Sequence, residues 1–234
     1  MGTPIHIIRQ MSRKFQFSIG EKYHIYGRGN DKRTIFLDNR DYIRFIALLY
    51  VCNNTETIHL SDHQNSTLAE LLEIERELEL VDIGAYCLMP NHFHLLVHEK
   101  IINGISKFMQ KVLTAYTMYF NKKYEKAGSL FSSRFKANHI DNDNYLKYLF
   151  SYIHLNPIKI IDPKWEESGI SNKQKAKFFL DSYNYSSFPD YSGEQRKERV
   201  ILNTRVFPGY FNNFKEFEDF INDWLNYGVV KVQP

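Results

Sequence analysis

At 234 residues, 43% hydrophobic and 24% charged, the chain is long enough for one sizeable core and too apolar to be disordered. Two cysteines without metal-type spacing, Cys52 and Cys87, speak for reduced thiols in a cytoplasmic protein, and neither a membrane-length apolar run nor a signal peptide in residues 1–17 is read. The formal net charge is only +3, but residues 1–40 carry eight basic against three acidic side chains, residues 101–160 nine against three, and residues 61–84 one against seven. Two basic segments that converge in space would suit a phosphate-binding surface.

In chain order, Tyr23-His24-Ile25-Tyr26 alternates as a strand does, and Gly27-Arg28-Gly29-Asn30-Asp31-Lys32-Arg33 follows as a basic loop. Glycine there would let backbone approach a phosphate, with Arg28, Lys32 and Arg33 supplying charge. Asp38 or Asn39 caps a helix through Tyr42, Phe45, Ile46, Leu48 and Leu49. Residues 53–66 are turn-like, and residues 68–78 suggest a short acidic helix. Residues 80–88 read as a strand; Pro90-Asn91 makes a tight turn into a second strand over residues 92–100, an antiparallel hairpin. Asn103 caps a long helix through Tyr124, with Ile105, Phe108, Met109, Val112, Leu113, Tyr116 and Phe120 as its core stripe, stopped by Gly128. Residues 130–136 read as another strand.

The order β-α-(α)-β-β-α-β predicts an α+β fold: a ferredoxin-like antiparallel sheet with helices on one face, the other face free, plus a C-terminal helical extension. Domain limits of 1–160 and 161–234 follow. On the second hairpin strand, His92, His94, Leu96 and His98 share one face while Phe93, Leu95 and Val97 share the other. Two imidazoles two residues apart on one strand face are a natural pair of metal ligands, although for an isolated His-x-His a polar sheet face is the more frequent explanation.

Asp141 or Asp143 caps a further helix, Tyr145 to Asn156, stopped by Pro157. Tyr148, Tyr152 and Asn156 stand four residues apart on one face of it. The alternatives are a packed tyrosine and a helix-capping asparagine. Beyond it, Lys173, Lys175 and Lys177 form a solvated basic run, and Phe214, Phe217, Phe220, Ile221, Trp224 and Leu225 fit an amphipathic helix from near Asn213.

The ordered set Arg28-Gly29-Asn30, Met89-Pro90-Asn91-His92-Phe93-His94, Tyr119-Phe120-Asn121, Gly128-Ser129-Leu130-Phe131 with Arg134-Phe135-Lys136, and Tyr152-Ile153-His154-Leu155-Asn156-Pro157 resembles the REP-associated tyrosine transposases. These are HUH single-tyrosine transposases related to small insertion-sequence transposases. The resemblance covers roughly residues 22–160, and Tyr185-Ser186-Ser187-Phe188 is similar to a segment following in longer members. It implies His92, His94 and Asn156 as ligands of Mg²⁺ or Mn²⁺, and Tyr152 as nucleophile, with Tyr148 the competitor and His154 structural. The implied activity is cleavage and rejoining of single-stranded DNA beside a hairpin through a 5′-phosphotyrosine link, by a monomer or homodimer. Expected phosphate contacts are Arg28, Lys32, Arg33, Lys107, Lys111, Arg134 and Lys136. The alternative is a non-cleaving hairpin DNA- or RNA-binding protein derived from such a transposase.

Overall fold

The computed structural model describes residues 16–63, 65–207 and 214–227. The expectation about a leader, and Asn213 at the start of the last helix, lie outside these residues. Strand β1 (Lys22–Arg28) is followed by a 3₁₀ turn at Asn30–Lys32, helix α1 (Asn39–Val51) and the single-turn α2 (Leu68–Leu71). The hairpin β2 (Val81–Met89) and β3 (His92–Glu99) leads into the long α3 (Gly104–Tyr124), then β4 (Lys136–Ile140) and α4 (Asp143–Leu155). The remainder is helical: α5 (Ile158–Ile161), α6 (Trp165–Ser168), α7 (Lys173–Ser182), α8 (Phe188–Tyr191) and α9 (Phe214–Tyr227).

The four strands form one antiparallel sheet in the order β2-β3-β1-β4, the ferredoxin-like order expected. Register fixes its two faces, because directly paired residues point the same way. Phe93, Leu95 and Val97 pair with Gly27, Ile25 and Tyr23 and join α1 and α3 in the larger core. His92, His94 and Leu96 pair with Arg28, Tyr26 and His24 on the opposite face. Gly27 is required by this packing: a Cβ there would meet the Phe93 ring at 2.7 Å.

Local signals start the helices. Asp38 caps α1 in a capping box with Asp41. The α4 cap is Asn142, between the two aspartates expected; its side chain accepts from Tyr145 N at 2.8 Å. Asn103 precedes α3 in a left-handed conformation without a side-chain cap, and Glu99 accepts from Ile105 N at 2.7 Å instead. α3 ends at a left-handed Glu125, before Gly128. The acidic helix shrinks to one turn. The fourth strand begins at Lys136, because residues 129–132 reach Arg28, Gly29 and Asn30 through only one antiparallel bridge, Phe131 to Gly29.

The second sheet face is half covered. α4 lies across β2 and β3, and Leu146, Leu149 and Ile153 bury against Ala85, Cys87 and Leu96 together with α7, α8 and α9. The free β2 edge is closed by residues 185–187: Leu88 N donates to the Tyr185 carbonyl and Ser187 N to that of Tyr86, both at 2.9 Å. Among the described residues no helix is long and apolar enough to cross a membrane.

Candidate active site

His92 and His94 stand on β3 near the hairpin turn, and α4 passes over them. The Tyr152 ring stacks edge-on to His94 with centroids 5.3 Å apart and edge-on to His24 at 6.2 Å. One turn on, Asn156 is fully buried with neither amide atom hydrogen-bonded. It lies beside the His92 ring, near enough to favour that ring's protonated form without closing a hydrogen bond. Thus the structure brings His92, His94, Tyr152 and Asn156 together within one chain.

Why the helix delivers these groups is visible in its faces. Leu149, Ile153 and Leu146 dock on the sheet, which turns the Tyr148, Tyr152 and Asn156 row toward β3 and β1. Tyr145, Tyr148 and Tyr152 stack successively, at 6.4 and 6.0 Å between centroids, as a ladder leading away from the histidines. Burial pushes the Tyr148 phenol up to about 12. His154 points the other way: its Nδ1 donates to the Phe150 carbonyl at 2.9 Å and its Nε2 meets Ser187 Oγ at 2.8 Å. It anchors α4 to the C-terminal segment.

Asn156 stays helical although a proline follows, so the chain turns a tight corner into α5. That corner returns Lys159 to the site, a residue that the sequence reading missed. Its Nζ sits 5.0 Å from the Tyr152 ring centroid and 2.9 Å from Glu166. A second missed residue is His24, 6% exposed, whose Nε2 lies 2.8 Å from His94 Nδ1. The alternation of residues 23–26 assigned its face, but only the pairing of β1 with β3 reveals its neighbour. Burial lowers His24 to about 3 and, with the Arg28 and Lys159 charges, His92 to about 4; burial first, then its histidine neighbours, holds His94 well below the ordinary value. All three rings are therefore neutral near pH 7, the form that can ligate a metal.

The donors suit a divalent ion. His94 Nε2 and the Asn156 amide oxygen are buried without partners, each costing about 1–3 kcal/mol if nothing binds there. No group of three His, Cys, Asp or Glu with metal-binding placement occurs among the described residues. The set is thus two imidazoles and an amide, as Mg²⁺ or Mn²⁺ accept alongside water or phosphate.

The expected phosphate contacts divide by sheet face. Arg28 pairs with His92 and Lys136 with Tyr26, so both share the histidine face, and both are exposed. Lys32 and Arg33 are exposed on the loop after β1, which is tied to the hairpin turn: Gly29 N donates to the Asn91 carbonyl at 3.0 Å and Asn91 Nδ2 to the Lys32 carbonyl at 3.1 Å. Gly29 serves this loop's own packing, since a Cβ would overlap the Arg33 carbonyl oxygen. Arg134 is exposed just before β4. Lys107 and Lys111 belong to α3, across the sheet from His92. The Lys111 Nζ is spent on the carbonyls of Asn54, Thr55 and Glu56 at 2.7, 3.2 and 2.8 Å.

A comparison with curated proteins gives no match. Among solved structures, a REP-associated tyrosine transposase bound to a REP hairpin is similar, with a TM-score of 0.48 and 13% identity, over 81% of this chain and 90% of that one. Residues 45–156 match the model of a family described as IS200-like transposases. The match runs from within α1 to Asn156, just under half of the chain, and takes in His92, His94 and Tyr152.

Proposed function

We propose that the protein is a metal-dependent single-strand DNA transesterase of the REP-associated type, which cuts beside a hairpin and can rejoin the strand. The observation that carries this reading is the packing of Tyr152 against His94, one helical turn from the unpartnered Asn156 amide. A tyrosine on a late helix and an imidazole pair on a sheet serve no shared structural purpose that would leave such donors unsatisfied.

His92, His94 and Asn156 would hold the ion, which when bound supplies Lewis-acid polarisation of the scissile phosphate. Tyr152 is the nucleophile. Its phenolic oxygen forms the bond to phosphorus, the bond from phosphorus to the 3′ oxygen breaks, and that oxygen takes up a proton to leave a free 3′-OH. The phenolic proton departs to solvent. Because the 5′-phosphotyrosine keeps the phosphodiester's energy, attack by a 3′-OH reverses the step without ATP. Lys159 places a positive charge beside the phenolate as it forms and again as it leaves. Arg28 and Lys136 flank the histidines on the same face and hold neighbouring phosphates, with Lys32, Arg33 and Arg134 at the rim. The Tyr145–Tyr148–Tyr152 ladder offers stacking surfaces for unpaired bases. The nucleophile and all three ligands come from one chain, so a monomer suffices for a cut.

The test is a labelled hairpin DNA with a single-stranded flank, incubated with Mn²⁺ and resolved on a denaturing gel. Wild type should give a covalent protein–DNA band and a shortened strand. Tyr152→Phe should bind the hairpin and give neither. An adduct that survives this substitution excludes Tyr152; hairpin binding with no adduct from wild type leaves a non-cleaving binder.

A further inference from the structure

The metal-facing nitrogen of each histidine depends on where its other nitrogen's proton goes, and here that is decided by two side chains outside the ligand set. We infer that His24 and Asn91 are positioning residues that hold His94 and His92 in the tautomer protonated on Nδ1, so that both rings present a bare Nε2 to the same space. The inference rests on the metal-binding reading of that space.

For His92 the argument runs through an amide whose orientation is fixed. Asn91 Nδ2 donates to the Lys32 carbonyl at 3.1 Å, so Oδ1 is the atom facing His92 Nδ1, at 2.6 Å. An oxygen can only accept, so His92 Nδ1 carries the proton and Nε2 the lone pair. The loop Arg28–Arg33 thereby reaches His92 through one hydrogen-bonded amide.

For His94 the partner is another ring. His24 and His94 are diagonal neighbours on adjacent strands, since His24 pairs with Leu96 and Tyr26 with His94. Their Nδ1 and Nε2 atoms lie 2.8 Å apart, and the rings are inclined by only 24°. Two arrangements of one shared proton are open. If His24 donates, the His94 proton sits on Nε2, a buried atom with no acceptor. If His94 donates from Nδ1, its Nε2 keeps a lone pair that an ion can use. Only the second lets the unpartnered Nε2 be satisfied by a cation. His24 Nε2 is itself removed from the ligand set, because it already faces His94 Nδ1. Partners of this kind orient and strengthen ligating imidazoles, and their loss costs about 10–100-fold in metal affinity.

The direct test needs no variant of either positioning residue. Long-range proton–nitrogen correlation spectra of the metal-free, ¹⁵N-labelled full chain at pH 7.5 report ring tautomers, with His92→Gln and His94→Gln spectra assigning the signals. Both rings should be protonated on Nδ1; an Nε2-protonated His94 overturns the role of His24, and an Nε2-protonated His92 that of Asn91. Mn²⁺ titration by calorimetry then reads the consequence. His24→Phe and Asn91→Ala should each weaken Mn²⁺ binding about 10–100-fold, whereas His24→Gln, whose amide oxygen accepts a proton, should stay within a few-fold of wild type. Unchanged affinity in a folded His24→Phe protein overturns the inference for His24. Should that variant not fold, the wild-type tautomer decides. The outcome separates from the cleavage reading: an Nε2-protonated His94 in a protein that still forms an adduct sinks only this inference, and Nδ1 tautomers in a protein that forms none sink only the cleavage.

Discussion

The anchoring of the nucleophile's helix makes a quantitative pH prediction. His154 is fully buried, bonded to Phe150 and Ser187, and its ring meets Phe150, Tyr191 and Phe217 at centroid distances of 4.5, 5.2 and 5.5 Å. Burial lowers it to about 3, against an ordinary value of 6.5 in the unfolded chain. Between those values the unfolded state binds the extra proton, so stability is present above pH 6.5 and is lost as pH falls. At pH 5 one such group costs roughly 2 kcal/mol relative to pH 8, from about 1.4 kcal/mol for each of about 1.5 pH units. Replacing it with leucine removes that proton linkage, while costing about 1–3 kcal/mol at pH 8 for the lost bonds and changed packing. Urea unfolding at pH 8, 6.5 and 5 gives the numbers. The wild-type loss between pH 8 and 5 should exceed that of His154→Leu by roughly 2 kcal/mol, so the two proteins converge on acidification. Parallel losses would show that His154 is not held neutral and that the anchor is misassigned.

Three further outcomes follow from the geometry. Lys159→Gln should slow adduct formation by about 5–30-fold, the worth of one charged contact of roughly 1–2 kcal/mol, and Glu166→Gln, which frees Lys159, should not slow it; single-turnover gels read both. Arg28→Ala and Lys136→Ala should each lower the salt-dependence slope of single-strand binding by about 0.7, while Lys107→Ala, across the sheet, should leave it unchanged. Phe93→Ala should cost about 3–5 kcal/mol in denaturant unfolding, because the fully buried ring fills the core between β1 and α1.

Much of this was legible in the chain because the governing patterns are local. Alternation over residues 92–98 assigned both sheet faces, four-residue spacing put Tyr152 and Asn156 in one row, and Asp38 marked the start of α1. What escaped was set by distant partners. The run 130–136 has strand-like composition, but it pairs only through a single antiparallel bridge of Phe131 to Gly29, with Ser132 N donating to the Arg28 carbonyl at 2.9 Å; the continuous ladder begins at Lys136. The face expected to stay free is half covered because the apolar stripe of α4 and the C-terminal helices needed a second core, which the sheet order alone does not reveal. His24 and Lys159 carry no motif: one acquires its neighbour through strand register, the other through the corner at Pro157.

The central claim is chemical and local, and one measurement addresses it directly. The adduct formed with Mn²⁺ and a hairpin carrying a single-stranded flank can be digested with trypsin and the modified peptide sequenced by mass spectrometry. Cleavage after Lys147 and Lys159 yields a peptide containing both Tyr148 and Tyr152, so fragmentation must locate the nucleotide. The account predicts it on the Tyr152 oxygen; a nucleotide on Tyr148, or on any residue outside α4, would contradict it.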